Sequence, residues 1–80
     1  MALHLVFTLS GLAACKQRLG DADQVVLLGD AVYAVLQDDA YAALDQDLSV
    51  RGIEPGDHAI GYEALVELVA AHAPVVSWST

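Results

Sequence analysis

The sequence has 80 residues, eleven Asp and Glu against three Lys and Arg, a formal net charge of −8 and 56% hydrophobic residues. This length allows one domain, residues 1–80. Because binding to phosphates needs Lys and Arg, a chain with so few of them is not expected to bind DNA or RNA directly. One cysteine cannot form an internal disulfide, and three scattered histidines do not have zinc-site spacing. The hydrophobic content exceeds the usual level of about 45–50% and predicts apolar surface that another subunit covers.

Residues 3–9 (LHLVFTL) predict a buried first strand, because they are apolar and rich in β-branched and aromatic side chains. Ser10 is a candidate N-cap for a helix over residues 11–19, which Gly20 would end. Residues 24–28 (QVVLL) predict a second buried strand of the kind found in parallel sheets.

A short helix over residues 31–36, capped by Asp30, is predicted to follow the second strand. A third strand is predicted at residues 41–44 and a short helix at residues 45–50. The Glu-Pro-Gly-Asp sequence at residues 54–57 predicts a turn.

Residues 58–61 predict a fourth strand, residues 62–72 an amphipathic helix, and residues 75–78 a last strand. In this helix one face is predicted to carry Tyr62, Leu65, Leu68, Val69 and His72. Strands that alternate with helices at short intervals indicate a small open α/β fold, with a mainly parallel sheet and helices on both faces.

No segment predicts a membrane span or a signal peptide. The longest apolar run, residues 70–76, is interrupted by His72 and Pro74 and is far shorter than the roughly 20 residues that a spanning helix needs. No basic segment precedes the apolar start of the chain. We therefore expect a cytoplasmic protein that contacts no membrane and whose thiol stays reduced.

No nucleotide-binding motif follows the first strand, and no cofactor or resident metal is expected. The carboxylate pairs Asp38-Asp39 and Asp45/Asp47 have Mg²⁺ binding as one interpretation, but their place in turns of an acidic chain favours solvated surface. His72 is interpreted as a partner for the last carbonyls of its helix. Trp78 has two interpretations, closure of the core and anchoring of an interface.

Cys15 is the candidate nucleophile of the sequence. Its neighbour Lys16 is expected to lower the pKa of the thiol, as persulfide or redox chemistry requires. The alternative is a structural role, because free cysteine in the middle of a helix often behaves as a small buried hydrophobe. The structural interpretation is favoured, and the sulfur-accepting one stays open.

Several motifs occur in a recognisable order along the chain. They are Leu3-His4, Val25-Val-Leu-Leu28 followed by Gly29-Asp30-Ala-Val-Tyr33-Ala34, Tyr41-Ala-Ala-Leu-Asp45, Asp47-Leu48, Arg51-Gly52, Tyr62, His72 and Trp78. Together they resemble the TusB/DsrH family of sulfur-relay proteins over nearly the whole chain. The sequence departs from the family in having Ala31 where glycine is usual, and in being shorter than most members.

The resemblance implies a DsrE/F/H-like fold and a heterohexamer with TusC/DsrF-like and TusD/DsrE-like subunits. In one branch of the family such a complex passes persulfide sulfur towards 2-thiolation of the wobble uridine of tRNA, and this is the role expected for the present chain. In another branch the complex serves sulfur oxidation. It also implies that the principal sulfur-accepting cysteine lies in the TusD/DsrE-like partner, with Cys15 as a candidate auxiliary acceptor.

The leading hypothesis is accordingly a non-catalytic, interface-forming subunit of a sulfurtransferase complex. Two alternatives remain: an independent small sulfurtransferase that acts through Cys15, and a plain protein-interaction module. A homodimer of the isolated chain is a further expectation.

Overall fold

A parallel β-sheet forms the centre of the molecule. The computed structural model describes residues 2–37 and 41–79, and within them five strands are arranged in the order β4-β3-β2-β1-β5. The strands are β1 (Leu3–Val6), β2 (Gln24–Leu27), β3 (Ala42–Leu44), β4 (Ala59–Ile60) and β5 (Val75–Trp78). Every neighbouring pair is parallel, with Leu3 opposite both Gln24 and Val75. The predicted α/β fold with a mainly parallel sheet is confirmed.

Helices cover both faces of this sheet, as predicted. They are α1 (Leu9–Lys16), a 3-10 helix (Gly29–Leu36), α2 (Asp45–Val50) and α3 (Tyr62–Ala71). The first three pack on one face, where Leu12, Val32 and Leu48 meet Leu27 in a buried cluster. On the other face Leu65 of α3 packs against a second cluster, which contains Leu3, Val26, Leu28 and Leu44. Burial of each such side chain stabilises the fold by about 1.5–3 kcal/mol. The apolar strand residues contribute to both clusters.

The start of α1 differs from the prediction. The helix begins at Leu9 and ends at Lys16, and its N-cap is Thr8, whose Oγ1 accepts a hydrogen bond from the Gly11 backbone N–H at 2.9 Å. The prediction of Ser10 as the cap was wrong, because β1 ends at Val6, three residues before the end of the predicted strand, and the helix begins two residues earlier than predicted.

The helix after β2 is a 3-10 helix that begins at Gly29, and its predicted cap was also wrong. Gly29 has a φ of 51°, which turns the chain directly from the strand into the helix. The Gly29 N–H donates to Asp47 Oδ2 at 2.8 Å, while the Asp30 carboxylate binds Arg51 at 2.9 Å. A residue from α2 therefore occupies the role that local sequence assigns to Asp30.

α3 is shorter than predicted by one residue, and its predicted apolar face is divided. Leu65 is buried, but Tyr62 is 66% exposed and Val69 is 39% exposed. The interpretation of His72 is confirmed, because its Nδ1 donates to the Leu68 carbonyl at 2.9 Å. No helix in the described part of the chain is both long and apolar enough to cross a membrane.

Candidate interaction surface and the environment of Cys15

A groove lies between α1 and the 3-10 helix, which pack on the same face of the sheet. It has a volume of about 460 Å³. Its lining comes from both helices, from the residue after the 3-10 helix and from the residue before β3, and comprises Leu9, Leu12, Ala13, Lys16, Tyr33, Ala34, Leu36, Gln37 and Tyr41. Leu36 is 69% exposed and Leu9 is 51% exposed, so two large apolar side chains at the groove are in contact with water. The groove is thus a largely apolar surface in the isolated chain.

An ionic cluster fixes the 3-10 helix, which forms one wall of the groove. The Arg51 guanidinium donates to Asp30 Oδ1 through Nε at 3.2 Å and Nη2 at 2.9 Å, and to the Asp47 carbonyl through Nη1 at 3.1 Å. Asp47 in turn accepts the Gly29 N–H. The guanidinium also lies over the Tyr33 ring, 5.9 Å from its centroid. Arg51 therefore ties α2 to the 3-10 helix and orients Tyr33 towards the groove.

Four residues of the predicted family motifs, Gly29, Asp30, Asp47 and Arg51, meet in this cluster. Sequence reasoning did not predict that they make contact. A signal was present, since an arginine is uncommon in this acidic chain and stands four positions after Asp47. The pairing with Asp30 depends on the parallel order of β2 and β3, which places the loops that follow them side by side.

Cys15 lies in the core and does not line the groove. Its side chain is 0% exposed, and it packs within the cluster that includes Val6 and Leu12. Burial raises the pKa of the Cys15 thiol, and the negative charge of Asp23 raises it further. Lys16 does not lower it as expected, because its ammonium group lies instead over the Tyr41 ring, 5.8 Å from the centroid. The prediction that Cys15 accepts sulfur stays a prediction, and it now concerns a buried, protonated thiol.

We expect Cys15 to be nearly unreactive in the folded chain. A maleimide or a disulfide reagent at pH 7.5 should label it at least 100-fold more slowly than the same chain in denaturant, because labelling needs opening of the core around α1. Stopped-flow or mass-spectrometric labelling gives both rates. Rapid labelling of the folded chain would show that the thiol is accessible without such opening.

A second polar cluster links three separated parts of the chain. Trp78 Nε1 donates to His4 Nδ1 at 2.9 Å, and His4 Nε2 lies 3.0 Å from Asp23 Oδ2. Asp23 also accepts the backbone N–H groups of Gly20 at 3.0 Å and Ala2 at 2.9 Å. Three hydrogen bonds hold the pKa of the Asp23 carboxyl well below its usual value, and the bond from His4 has the largest effect. Trp78 also packs against the core cluster, which supports its predicted role in closing the core.

Asp23→Asn should reduce the dependence of stability on acid pH. Because the pKa of Asp23 is lower in the folded chain than in the unfolded one, the carboxylate stabilises the fold at neutral pH, and this contribution is lost as pH falls below about 4. Urea unfolding at pH 7 and pH 3 should show a smaller difference in midpoint for the variant. The exposed Asp21→Asn serves as the matched control, and an equal change in both variants would contradict the assignment.

The carboxylate pairs have different outcomes. Asp38 and Asp39 lie outside the described residues. Asp45 is exposed in the first turn of α2, whereas Asp47 is partly buried and hydrogen-bonded to Gly29. Over residues 2–37 and 41–79, no three His, Cys, Asp or Glu side chains are grouped so that they could hold a metal ion.

The fold and the surface together define a small parallel α/β protein with a largely apolar groove between α1 and the 3-10 helix. A family model described as "DsrH like protein" matches residues 6–75. The chain therefore belongs to the DsrH-like family of sulfur-relay-type subunits, which generally work in a complex with DsrE- and DsrF-like partners. This confirms the family resemblance of its motifs. No curated protein matches the sequence.

Proposed function

We propose that this chain is a non-catalytic subunit of a cytoplasmic sulfur-relay complex that passes persulfide sulfur towards 2-thiolation of the tRNA wobble uridine. The observation that carries the proposal is the family match over residues 6–75. The acidic surface supports an indirect role, since a chain with net charge −8 is poorly suited to hold tRNA itself. The partners in the proposal are TusC/DsrF-like and TusD/DsrE-like subunits in a heterohexamer.

The groove between α1 and the 3-10 helix is proposed to receive one of these related partner subunits. Its apolar lining supports this role, because Leu9, Tyr33 and Leu36 expose side chains that a partner would remove from water. The Arg51 cluster supports it further, since a wall held by charge-assisted hydrogen bonds loses little conformational freedom when a partner binds.

Cys15 has a secondary place in the proposal, as an auxiliary persulfide acceptor. Because the thiol is 0% exposed, transfer to it requires α1 to separate locally from the sheet. The proposal assigns the principal acceptor to the TusD/DsrE-like partner, as the family resemblance implies. Persulfide uptake by the purified complex and by its Cys15→Ser variant measures the share that passes through Cys15.

Native mass spectrometry of the tagged protein, purified gently from its own cells, tests the proposal. Recovery with two related subunits, in a complex several times the mass of the chain, is the expected result. Recovery alone, as a monomer or homodimer, would contradict it, and persulfide uptake by the isolated chain would then separate an independent sulfurtransferase from an interaction module.

The direction of sulfur transfer needs a separate experiment. Removal of the gene should lower the amount of 2-thiouridine at the tRNA wobble position, measured by mass spectrometry of digested tRNA. Unchanged thiolation together with impaired oxidation of reduced sulfur would assign the complex to the other branch of the family.

A further inference from the structure

The polar cluster of His4, Asp23 and Trp78 connects strand β5 to the rest of the sheet. β5 is the last strand in the order β4-β3-β2-β1-β5 and pairs with β1. His4 is 4% exposed, although histidine is a polar residue, and its ring centroid lies 6.1 Å from that of Trp78. None of the functions proposed above requires this buried imidazole.

The hydrogen bonds determine where the imidazole proton lies. The indole Nε1–H of Trp78 can only donate, so Nδ1 of His4 must accept and cannot carry a proton. Nε2 therefore carries the proton and donates it to Asp23 Oδ2. Both bonds are made at once by the neutral imidazole in this one tautomer.

We propose that His4 is a pH-dependent latch on the Trp78 side chain of strand β5. When Nδ1 takes up a proton, both ring nitrogens become donors, and the imidazolium keeps its hydrogen bond to Asp23 but loses the one from Trp78. Two N–H groups would then face each other across the 2.9 Å that separates Nε1 from Nδ1, so the indole must move away. The Trp78 indole is released from His4, while the backbone hydrogen bond from the Phe7 N–H to the Trp78 carbonyl still holds the end of β5. β1 and the Asp23 loop stay joined.

Few titratable or charged groups lie on the elements that pack around His4 and could affect its protonation. β2 and β5 carry no titratable side chain. The loop before β2 contributes Asp23, at 3.0 Å, and also the exposed Arg18 and Asp21. The adjacent helix α1 contributes the buried thiol of Cys15 and Lys16, whose ammonium group lies over Tyr41. Asp23 is thus the charged partner that keeps the imidazolium tolerable in the interior.

NMR of the uniformly ¹⁵N-labelled chain between pH 8 and pH 5 tests the latch. Trp78 is the one tryptophan of the sequence, so its indole N–H signal needs no further assignment. We expect the ¹⁵N shifts of His4 at pH 8 to show the Nε2–H tautomer, and the indole signal to titrate with the same midpoint as the His4 ring. Protection of the indole proton from solvent exchange, corrected for intrinsic pH dependence, should fall about tenfold across this midpoint.

His4→Asn provides the matched control. Asparagine Oδ1 can take the place of Nδ1 as an acceptor for Trp78 but binds no proton in this range. The pH dependence of the indole signal should therefore disappear while the hydrogen bond remains. If the indole signal of the wild-type chain does not titrate with the His4 ring, the proposal is overturned. This result does not depend on whether the variant folds. A titration that persists in folded His4→Asn would overturn it as well.

Discussion

Leu36→Asp should weaken binding to the partner subunit by at least about 30-fold while leaving the chain folded, as expected for loss of a central apolar contact at an interface. Leu36 is 69% exposed in the isolated chain, so a carboxylate at this position remains hydrated there. In the complex the same carboxylate would be buried against apolar surface without a counter-charge. Co-purification and isothermal titration with the reconstituted partner measure the effect.

Val50→Asp is the control for this prediction. Val50 is 81% exposed on α2 and does not line the groove, and the substitution introduces the same charge in place of a similar apolar side chain. Val50→Asp should leave the affinity for the partner within about twofold of the wild type, because surface substitutions outside an interface usually have small effects. Equal loss in both variants would mean that net charge, and not the groove, governs assembly. Normal binding by Leu36→Asp would remove the groove from the interface.

Gly11→Ala should destabilise the fold by about 1–3 kcal/mol, as overpacking of a close contact generally does. Helix propensity alone predicts the opposite sign, since alanine is favoured over glycine in a helix by about 1 kcal/mol. The difference arises because a Cβ at Gly11 would lie 2.8 Å from the Trp78 carbonyl oxygen and 2.9 Å from Thr8 Oγ1. The Trp78 oxygen cannot yield easily, because it accepts the Phe7 N–H at 2.9 Å.

Thermal unfolding of Gly11→Ala and Gly56→Ala provides the comparison. A Cβ at Gly56 would have no atom within 4 Å, so this variant should unfold within a few degrees of the wild type. Each kcal/mol lost by Gly11→Ala should lower the melting temperature by about 4–8 °C in a domain of this size. An increase for Gly11→Ala would mean that β5 shifts away from α1 without cost.

Most of the architecture could be predicted from the sequence because it depends on local patterns. The continuous apolar run over residues 25–28 and the periodic α3 sequence are signals that neighbouring residues carry by themselves. The caps could not be predicted in the same way. Thr8 and Ser10 are chemically equivalent candidates, and only the end of β1 at Val6 decides between them.

The candidate surface was less predictable because it depends on contacts between distant residues. The family motif contains Asp30 and Arg51, but their ion pair joins positions 21 apart and exists only because β2 and β3 are neighbours. Similarly, local sequence places Cys15 beside a cation. The tertiary structure places its side chain in the core instead, near the carboxylate of Asp23, and this reverses the expected direction of the thiol pKa.

The position of β1 between β2 and β5 has a consequence for the order in which the sheet assembles. β1 and β2 are joined through one short helix, whereas the His4–Trp78 contact closes a loop between positions 74 residues apart. Contacts between distant positions carry the larger loss of chain entropy and tend to form after local ones. β1 is therefore expected to pair first with β2 and to remain open on its other side until β5 arrives. During that interval its unpaired side is the natural place for a wrong strand, from this chain or another, to bind.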